Sequence, residues 1–144
     1  VAALDDPEAT LRLVAFARRE RPDLHIVARA RDRTYVFRLY QAGANDIVRE
    51  LFDSSIRAGR YVLENVGLTE FEASELQKTF YHHDRRSVRD LAALWDPAIP
   101  TTENAAYIHR AKELEAELQT MLLTQREEAV ADEIAEDENS RKQA

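Results

Sequence analysis

The chain has 144 residues, a formal net charge of −7 and no cysteine, which excludes disulfides, thiolate metal sites and cysteine nucleophiles. Its three glycines, Gly43, Gly59 and Gly67, lie far apart, so the clustered glycines of a phosphate-binding loop are absent. The acidic balance argues against a nucleic-acid partner, because the phosphate backbone binds to basic surfaces. The length suffices for one domain with a hydrophobic core.

The first half of the sequence alternates short apolar runs with helical patterns. Residues 1–4 are apolar and precede an Asp-Asp-Pro turn, which is typical of a buried strand followed by a capped helix. Helices are predicted at 7–20, 33–42 and 53–66, and further strands at 24–28 and 46–49. This alternation predicts an α/β fold with a parallel sheet and right-handed crossovers. Because a strand at residues 1–4 needs neighbours, we interpret the chain as a C-terminal piece of a longer one.

The second half is predicted to be helical. Thr69 and Glu72 form a capping box, which opens a helix running to about Trp95. Asp96 and Pro97 end that helix, and a last helix is expected from about residue 103 into the 130s. Residues 137–144 are polar, and their composition favours a disordered tail.

Charged residues follow each predicted strand, at the edge where ligands of open α/β sheets bind. The candidates are Asp5, Asp6, Arg29, Arg31 and Arg49. Arginine side chains can bind a carboxylate bidentately. From the residues alone, other interpretations stay open: the acidic pair as a helix cap, the arginine pair as a solvated loop, and Arg49 as a partner of Glu50.

No catalytic or metal site is predicted. His82 and His83 are adjacent and point about 100° apart on a helix, so they cannot chelate one metal together. His25 lies within a predicted strand and is expected to be a core residue. No nucleophile can be paired with a base, and we expect no enzymatic activity.

Several segments, taken in order, resemble the Kef family of bacterial glutathione-gated potassium efflux systems. They are LDDPEATL at 4–11, PDLHIVARAR at 22–31, LYQAGA at 39–44, RELF at 49–52, AGR at 58–60, LENVGL at 63–68 and FYHHD at 80–84. The resemblance extends to about residue 125. It implies that residues 1–67 are the second half of a Rossmann-like RCK (TrkA-N) domain. Residues 68–136 would then be a helical, dimer-associated extension.

The resemblance implies a cytosolic regulatory domain at the inner membrane, joined in the same chain to an antiporter domain that exchanges potassium for protons. Glutathione would keep the system closed, and glutathione adducts would open it. A nucleotide, NAD(H) or AMP, would bind in the missing first half, with no cofactor in residues 1–144. The implied partners are a second copy of the chain and, in some systems, an ancillary oxidoreductase subunit; a nucleic acid is not among them.

The resemblance also implies a glutathione site. In the family, an arginine at the position of Arg49 and an asparagine at the position of Asp84 contact glutathione. Asp84 departs from this pattern, because an ionised carboxylate accepts hydrogen bonds from an ammonium group but donates none. On physical grounds, Arg29, Arg31 and the two aspartates at positions 5 and 6 are secondary candidates for ligand or dimer contact.

Two other functions are compatible with the sequence. The first is a nucleotide-gated RCK regulator of another potassium transporter. The second is a coiled-coil interaction module built on the last helix, whose apolar positions recur at helical spacing. Glutathione-independent transport would identify the nucleotide-gated regulator. Self-association of residues 100–144 alone would identify the coiled-coil module.

Overall fold

Seven helices and strands follow one another along residues 1–142, which are the residues that this computed structural model describes. They are α1 (Pro7–Glu20), β1 (Val27–Ala30), α2 (Arg33–Gln41), β2 (Asp46–Arg49), α3 (Phe52–Asn65), α4 (Glu70–Leu94) and α5 (Ala105–Lys142). Helices and parallel strands alternate up to α3, and two long helices follow. The predicted α/β class is therefore confirmed.

The sheet is parallel and small. β1 and β2 pair in register, with Val27 opposite Asp46 and Ala30 opposite Arg49. Ala2 lies on the other side of β1 and pairs with it through a single bridge to Ala28. The expected strand at residues 1–4 is thus reduced to one bridge.

The segment before β1 differs from the predicted strand at 24–28. Leu24 N–H donates to the carbonyl of Arg21 in a turn, and Ile26 N–H donates to the Asn45 side chain at 2.8 Å. Both groups are therefore unavailable to a ladder, and β1 begins only at Val27. His25 lies in this segment and is exposed, so its prediction as a core residue is wrong; its Nε2 is 3.0 Å from Asp46 Oδ2.

The helix ends follow their sequence signals. The Asp6 carboxylate accepts from Glu8 N–H at 2.9 Å and from Ala9 N–H at 3.2 Å, so this candidate residue is the N-cap of α1. The capping box of Thr69 and Glu72 is present at the start of α4. Gly43, just after α2, has a φ of +101°, which favours glycine.

The hydrophobic core lies between α2, the sheet and α4. Phe37 and Leu39 of α2 are buried, and the Phe37 ring contacts Trp95 and Tyr107 at centroid distances of 5.8 and 6.1 Å. Each such side chain contributes about 1.5–3 kcal/mol through burial. α2 thus anchors α4 and the start of α5 on one face of the sheet.

α5 continues further than the sequence indicates. It includes residues 137–142, whose composition favours a disordered tail; residues 143 and 144 lie outside the described residues. The alanine- and glutamate-rich sequence after residue 126 has high helix propensity, which accounts for the extension. None of the helices within residues 1–142 combines the length and apolarity needed to cross a membrane.

Candidate functional site

The carboxyl edge of the sheet brings most of the predicted site residues together. β1 ends at Ala30 and β2 at Arg49, directly opposite each other. The residues after the Ala2 bridge reach the same edge, where Asp5 lies 3.0 Å from Arg29. The expectation of a shared edge is therefore confirmed for Asp5, Arg29 and Arg49.

Arg49 and Asp84 form an ion pair across the molecule. Arg49 Nη2 donates to Asp84 Oδ2, and the two side chains are only 18% and 16% exposed. Arg49 is the last residue of β2, whereas Asp84 lies in the middle of α4. The packing of α4 against α2 and α3 therefore brings the two predicted glutathione contacts into direct contact.

An aromatic ring fixes the Arg49 guanidinium from its other side. Arg49 Cζ lies 3.4 Å from the centroid of the Phe52 ring, which is a close cation–π contact. The Phe52 ring in turn lies 6.5 Å from Phe80 and 5.8 Å from Tyr81. These three side chains, the aromatic cluster, hold Arg49 against Asp84. From the sequence, Phe80 is only a candidate packing residue of the fourth helix and the other two have no predicted role, although Phe52 follows Arg49 by three residues and Phe80 and Tyr81 precede Asp84.

A cavity of about 350 Å³ lies between α4 and α5 beside the ion pair. Its lining residues are Arg33, Phe80, His83, Asp84, Ser87, Leu91, Tyr107, Ala111, Leu114, Glu115 and Leu118. The cavity thus combines an apolar wall with acidic and basic side chains. Its size and mixed lining suit part of a small polar ligand.

His83 is the buried titratable residue of this region. Its Nδ1 is 3.2 Å from Ser87 Oγ, whereas Nε2 is buried and has no hydrogen-bond partner within the described part of the chain. Burial lowers the pKa of His83, and the positive charge of Arg86 lowers it further, against the opposing effect of Glu117. Burial and Arg86 thus both disfavour a positive charge on the imidazole next to Asp84.

A second group of charges, the edge network (Asp5, Arg29, Arg31 and Glu50), lies at the same edge but is more exposed, with side chains between 31% and 92% exposed. Arg29 Nε and Arg31 Nε both approach Glu50 Oε1, at 3.3 and 3.5 Å; Arg29 lies in β1, and Arg31 directly follows the end of this strand. Asp5 is 92% exposed. Glu50 is thus the partner of these two arginines, and its suggested ion pair with Arg49 is wrong.

Asp46 contacts three basic side chains at the opposite, amino edge of the sheet. Its carboxylate lies 3.2 Å from Arg85, 3.0 Å from Arg89 and 3.0 Å from His25. Two of these partners belong to α4, so the cluster fixes the helix that carries Asp84. Among residues 1–142 no group of three or more His, Asp or Glu side chains is arranged to hold a metal ion.

Comparison with known families and proteins gives concordant results. Residues 54–142 match the family described as potassium efflux system KefB C-terminal domain, and residues 1–50 match the TrkA-N domain. The chain is 39% identical over 92 residues to the glutathione-regulated potassium-efflux system protein KefC of Salmonella arizonae. That match covers 64% of this chain and 15% of the relative.

A solved structure is similar as well. It is the Kef C-terminal domain of Shewanella denitrificans in AMP-bound form, with a TM-score of 0.60 and 35% sequence identity. The match covers 65% of this chain and 59% of that chain. This chain therefore corresponds to a small part of the curated relative and to somewhat more than half of the structural one.

Proposed function

We propose, since this chain belongs to the family of potassium efflux system KefB C-terminal domains, that it is the ligand-sensing regulatory domain of a potassium/proton antiport system. Glutathione and its adducts would be the controlling ligands, and the domain would lie at the cytoplasmic side of a bacterial inner membrane. The name of the KefC relative supports both the ion and the ligand. The membrane antiporter part would belong to the same protein. The much greater length of the KefC relative, of which the match covers 15%, supports this.

The observation that carries the proposal is the ion pair of Arg49 and Asp84. It joins the two positions expected to contact glutathione, and it lies beside a cavity lined by Asp84. Glutathione carries two carboxylates and one ammonium group. Arg49 can take a carboxylate bidentately, and the Asp84 carboxylate can accept from the ammonium. Arg29 and Arg31 of the edge network are secondary candidates, because exposed arginines can still contact a ligand or a second copy.

The proposed mechanism is allosteric rather than catalytic. A ligand shifts the equilibrium between two states of a protein only if it binds one state more tightly than the other. Glutathione and its adducts must therefore prefer different states. Glutathione would occupy the site without disturbing the aromatic cluster, which lies against Arg49. A bulky substituent on the glutathione sulfur would displace one of these rings. The moved ring would shift α3 against α4 and so change the state of the protein.

We further propose that residues 1–67 act as half of a Rossmann-like domain and residues 68–136 as a helical extension of a homodimer. Dimerisation is supported by α3, none of whose residues is buried within the described chain. α3 and its flanks expose Leu51, Tyr61, Val62, Val66 and Phe71, and such an apolar surface is typical of protein contacts.

A nucleotide is proposed for the part of the domain that precedes residue 1. The match to the TrkA-N domain and the AMP bound to the structural neighbour support it, whereas residues 1–144 offer no glycine-rich loop. The nucleotide would be AMP or NAD(H), and an ancillary oxidoreductase subunit is proposed as a further partner. Titration of a longer protein that includes this preceding part, with AMP and with NAD(H), would identify the nucleotide.

Isothermal titration of the purified protein with glutathione tests the ligand and the site together. We expect saturable binding that Arg49→Ala weakens at least about tenfold, because a charge-assisted bidentate contact is lost. Arg21→Ala is the matched control, since Arg21 pairs with Asp23 in solvent at the start of the turn before β1. Equal binding by the protein and Arg49→Ala would contradict the site assignment.

A further inference from the structure

We propose that Asp84 makes the site specific for ligands with a free ammonium group next to a carboxylate, so that the ligand's α-amino acid end replaces the internal ion pair. Analogues in which this amine is acylated would be rejected. The inference rests on the proposed function, because it concerns how the same site selects its ligand.

The pair of Arg49 and Asp84 is largely shielded from solvent. Both the Arg49 and the Asp84 side chains are more than four-fifths buried, and each is the charged partner of the other. Removing one partner of a buried ion pair leaves the other charge without compensation, which is strongly unfavourable. A ligand that binds Arg49 must therefore also satisfy Asp84.

A simple carboxylate cannot do so. It would displace Asp84 from Arg49 and leave two negative groups close together in a poorly hydrated place, where like charges repel. A zwitterionic α-amino acid group avoids this cost, because its carboxylate binds Arg49 while its ammonium binds Asp84. The ion pair is thus exchanged for two ion pairs, and the charge of the site stays balanced.

Within the described part of the chain, Arg49 is the one cationic side chain that lies within ion-pair distance of Asp84. Burial lowers the pKa of the neighbouring His83, which disfavours a positive charge there. Arg33 lines the neighbouring cavity, but Glu115 lines it too with the opposite charge. Phe52 covers the Arg49 guanidinium with a ring face, which attracts cations and repels anions. The ligand's ammonium is therefore the group that balances Asp84.

The edge network imposes no such requirement. Asp5 and Arg31 are more than half exposed, so water compensates either charge when its partner binds something else. Plain anions can therefore bind there as readily as zwitterions. The selectivity for an ammonium group belongs to the Arg49 and Asp84 pair.

The test compares glutathione with N-acetylglutathione, which keeps both carboxylates but has no ammonium. Both are titrated calorimetrically into the purified protein, Asp84→Asn and Asp84→Glu. We expect the protein and Asp84→Glu to prefer glutathione by at least about tenfold, since one charged contact is lost and a repulsion is gained. Asp84→Asn should reduce this preference to about twofold or less.

Asp90→Asn is the matched control, because Asp90 is another carboxylate of α4 and pairs with Arg110 at 2.8 Å; it should keep the preference. Equal affinities of the two ligands for the protein, or an unchanged preference in Asp84→Asn, would overturn the inference. If glutathione still binds in these cases and Arg49→Ala abolishes it, the proposed function stands alone. If neither ligand binds, both proposals fail together.

Discussion

The Arg49–Asp84 pair and the edge network use the same chemistry at the same edge of the sheet, but they differ in burial. The first pair is more than four-fifths buried and lies under the Phe52 ring, whereas Asp5 of the second is 92% exposed. Exposed pairs contribute about 0–1 kcal/mol, because water solvates each charge as well as the partner does. In a buried pair, in contrast, each charge depends on its partner, so the pair fixes the positions of both side chains. Burial therefore separates a selective site from a cluster of solvated charges.

The largest expected effect comes from breaking the buried pair. Arg49→Ala should lower the free energy of unfolding by about 2 kcal/mol, since Asp84 loses the partner that compensates its burial. Arg29→Ala should lower it by less than about 1 kcal/mol. Urea unfolding of both variants measures the difference. Equal losses would show that burial does not distinguish the two groups of charges.

The next effect concerns the ring that holds Arg49. Phe52→Leu keeps an apolar side chain but removes the cation–π contact, which is worth about 1 kcal/mol. Glutathione affinity should fall by about fivefold, with little change in stability. Phe16→Leu serves as the matched control, because Phe16 lies on α1 and is exposed. An affinity unaffected by Phe52→Leu would mean that the ring does not position the guanidinium.

The two aspartates before α1 offer a comparison within the exposed edge. Asp6→Ala should lower the free energy of unfolding by about 1 kcal/mol, because two backbone N–H groups of α1 lose their acceptor. Asp5→Ala should change it by about 0.5 kcal/mol at most. Thermal unfolding of the pair provides the measurement, and a reversed order would contradict the assignment of Asp6 as the cap.

The smallest effect is a pH dependence of the free energy of unfolding that comes from the buried His83. Burial holds the pKa of His83 below its ordinary value of 6.5, so the unfolded chain binds this proton first as the pH falls. The free energy of unfolding should therefore decrease as the pH drops through 6.5. His83→Leu should flatten this decrease, in comparison with His82→Gln at an exposed position of the same helix. The same slope in His83→Leu would contradict the prediction.

The parts of the fold that local signals determine could be predicted from the sequence. α1 and β2 have the predicted bounds, and α4 begins at the predicted capping box. These features depend on caps and on short apolar runs, which a sequence displays directly. The start of β1 could not be predicted, because Asn45, almost 20 residues later, takes the N–H of Ile26.

The candidate site, too, depends on contacts between distant residues that local sequence signals do not predict. Arg49 and Asp84 are 35 residues apart, and their contact depends on how α4 packs across the sheet. The family resemblance named both positions, but no local pattern indicates that they pair. The aromatic cluster was missed for this reason too, since Phe52 meets Phe80 and Tyr81 only through the packing of α3 on α4.

The most direct test of the central claim, that the buried pair and not the edge network receives the ligand, is NMR of the arginine side chains. The Nε–Hε signals of Arg49 and Arg29 can be assigned by their absence in Arg49→Lys and Arg29→Lys. Glutathione should shift the Arg49 signal in a saturable way and leave the Arg29 signal within a small fraction of that shift. A saturable shift of the Arg29 signal with the Arg49 signal unmoved would contradict the account.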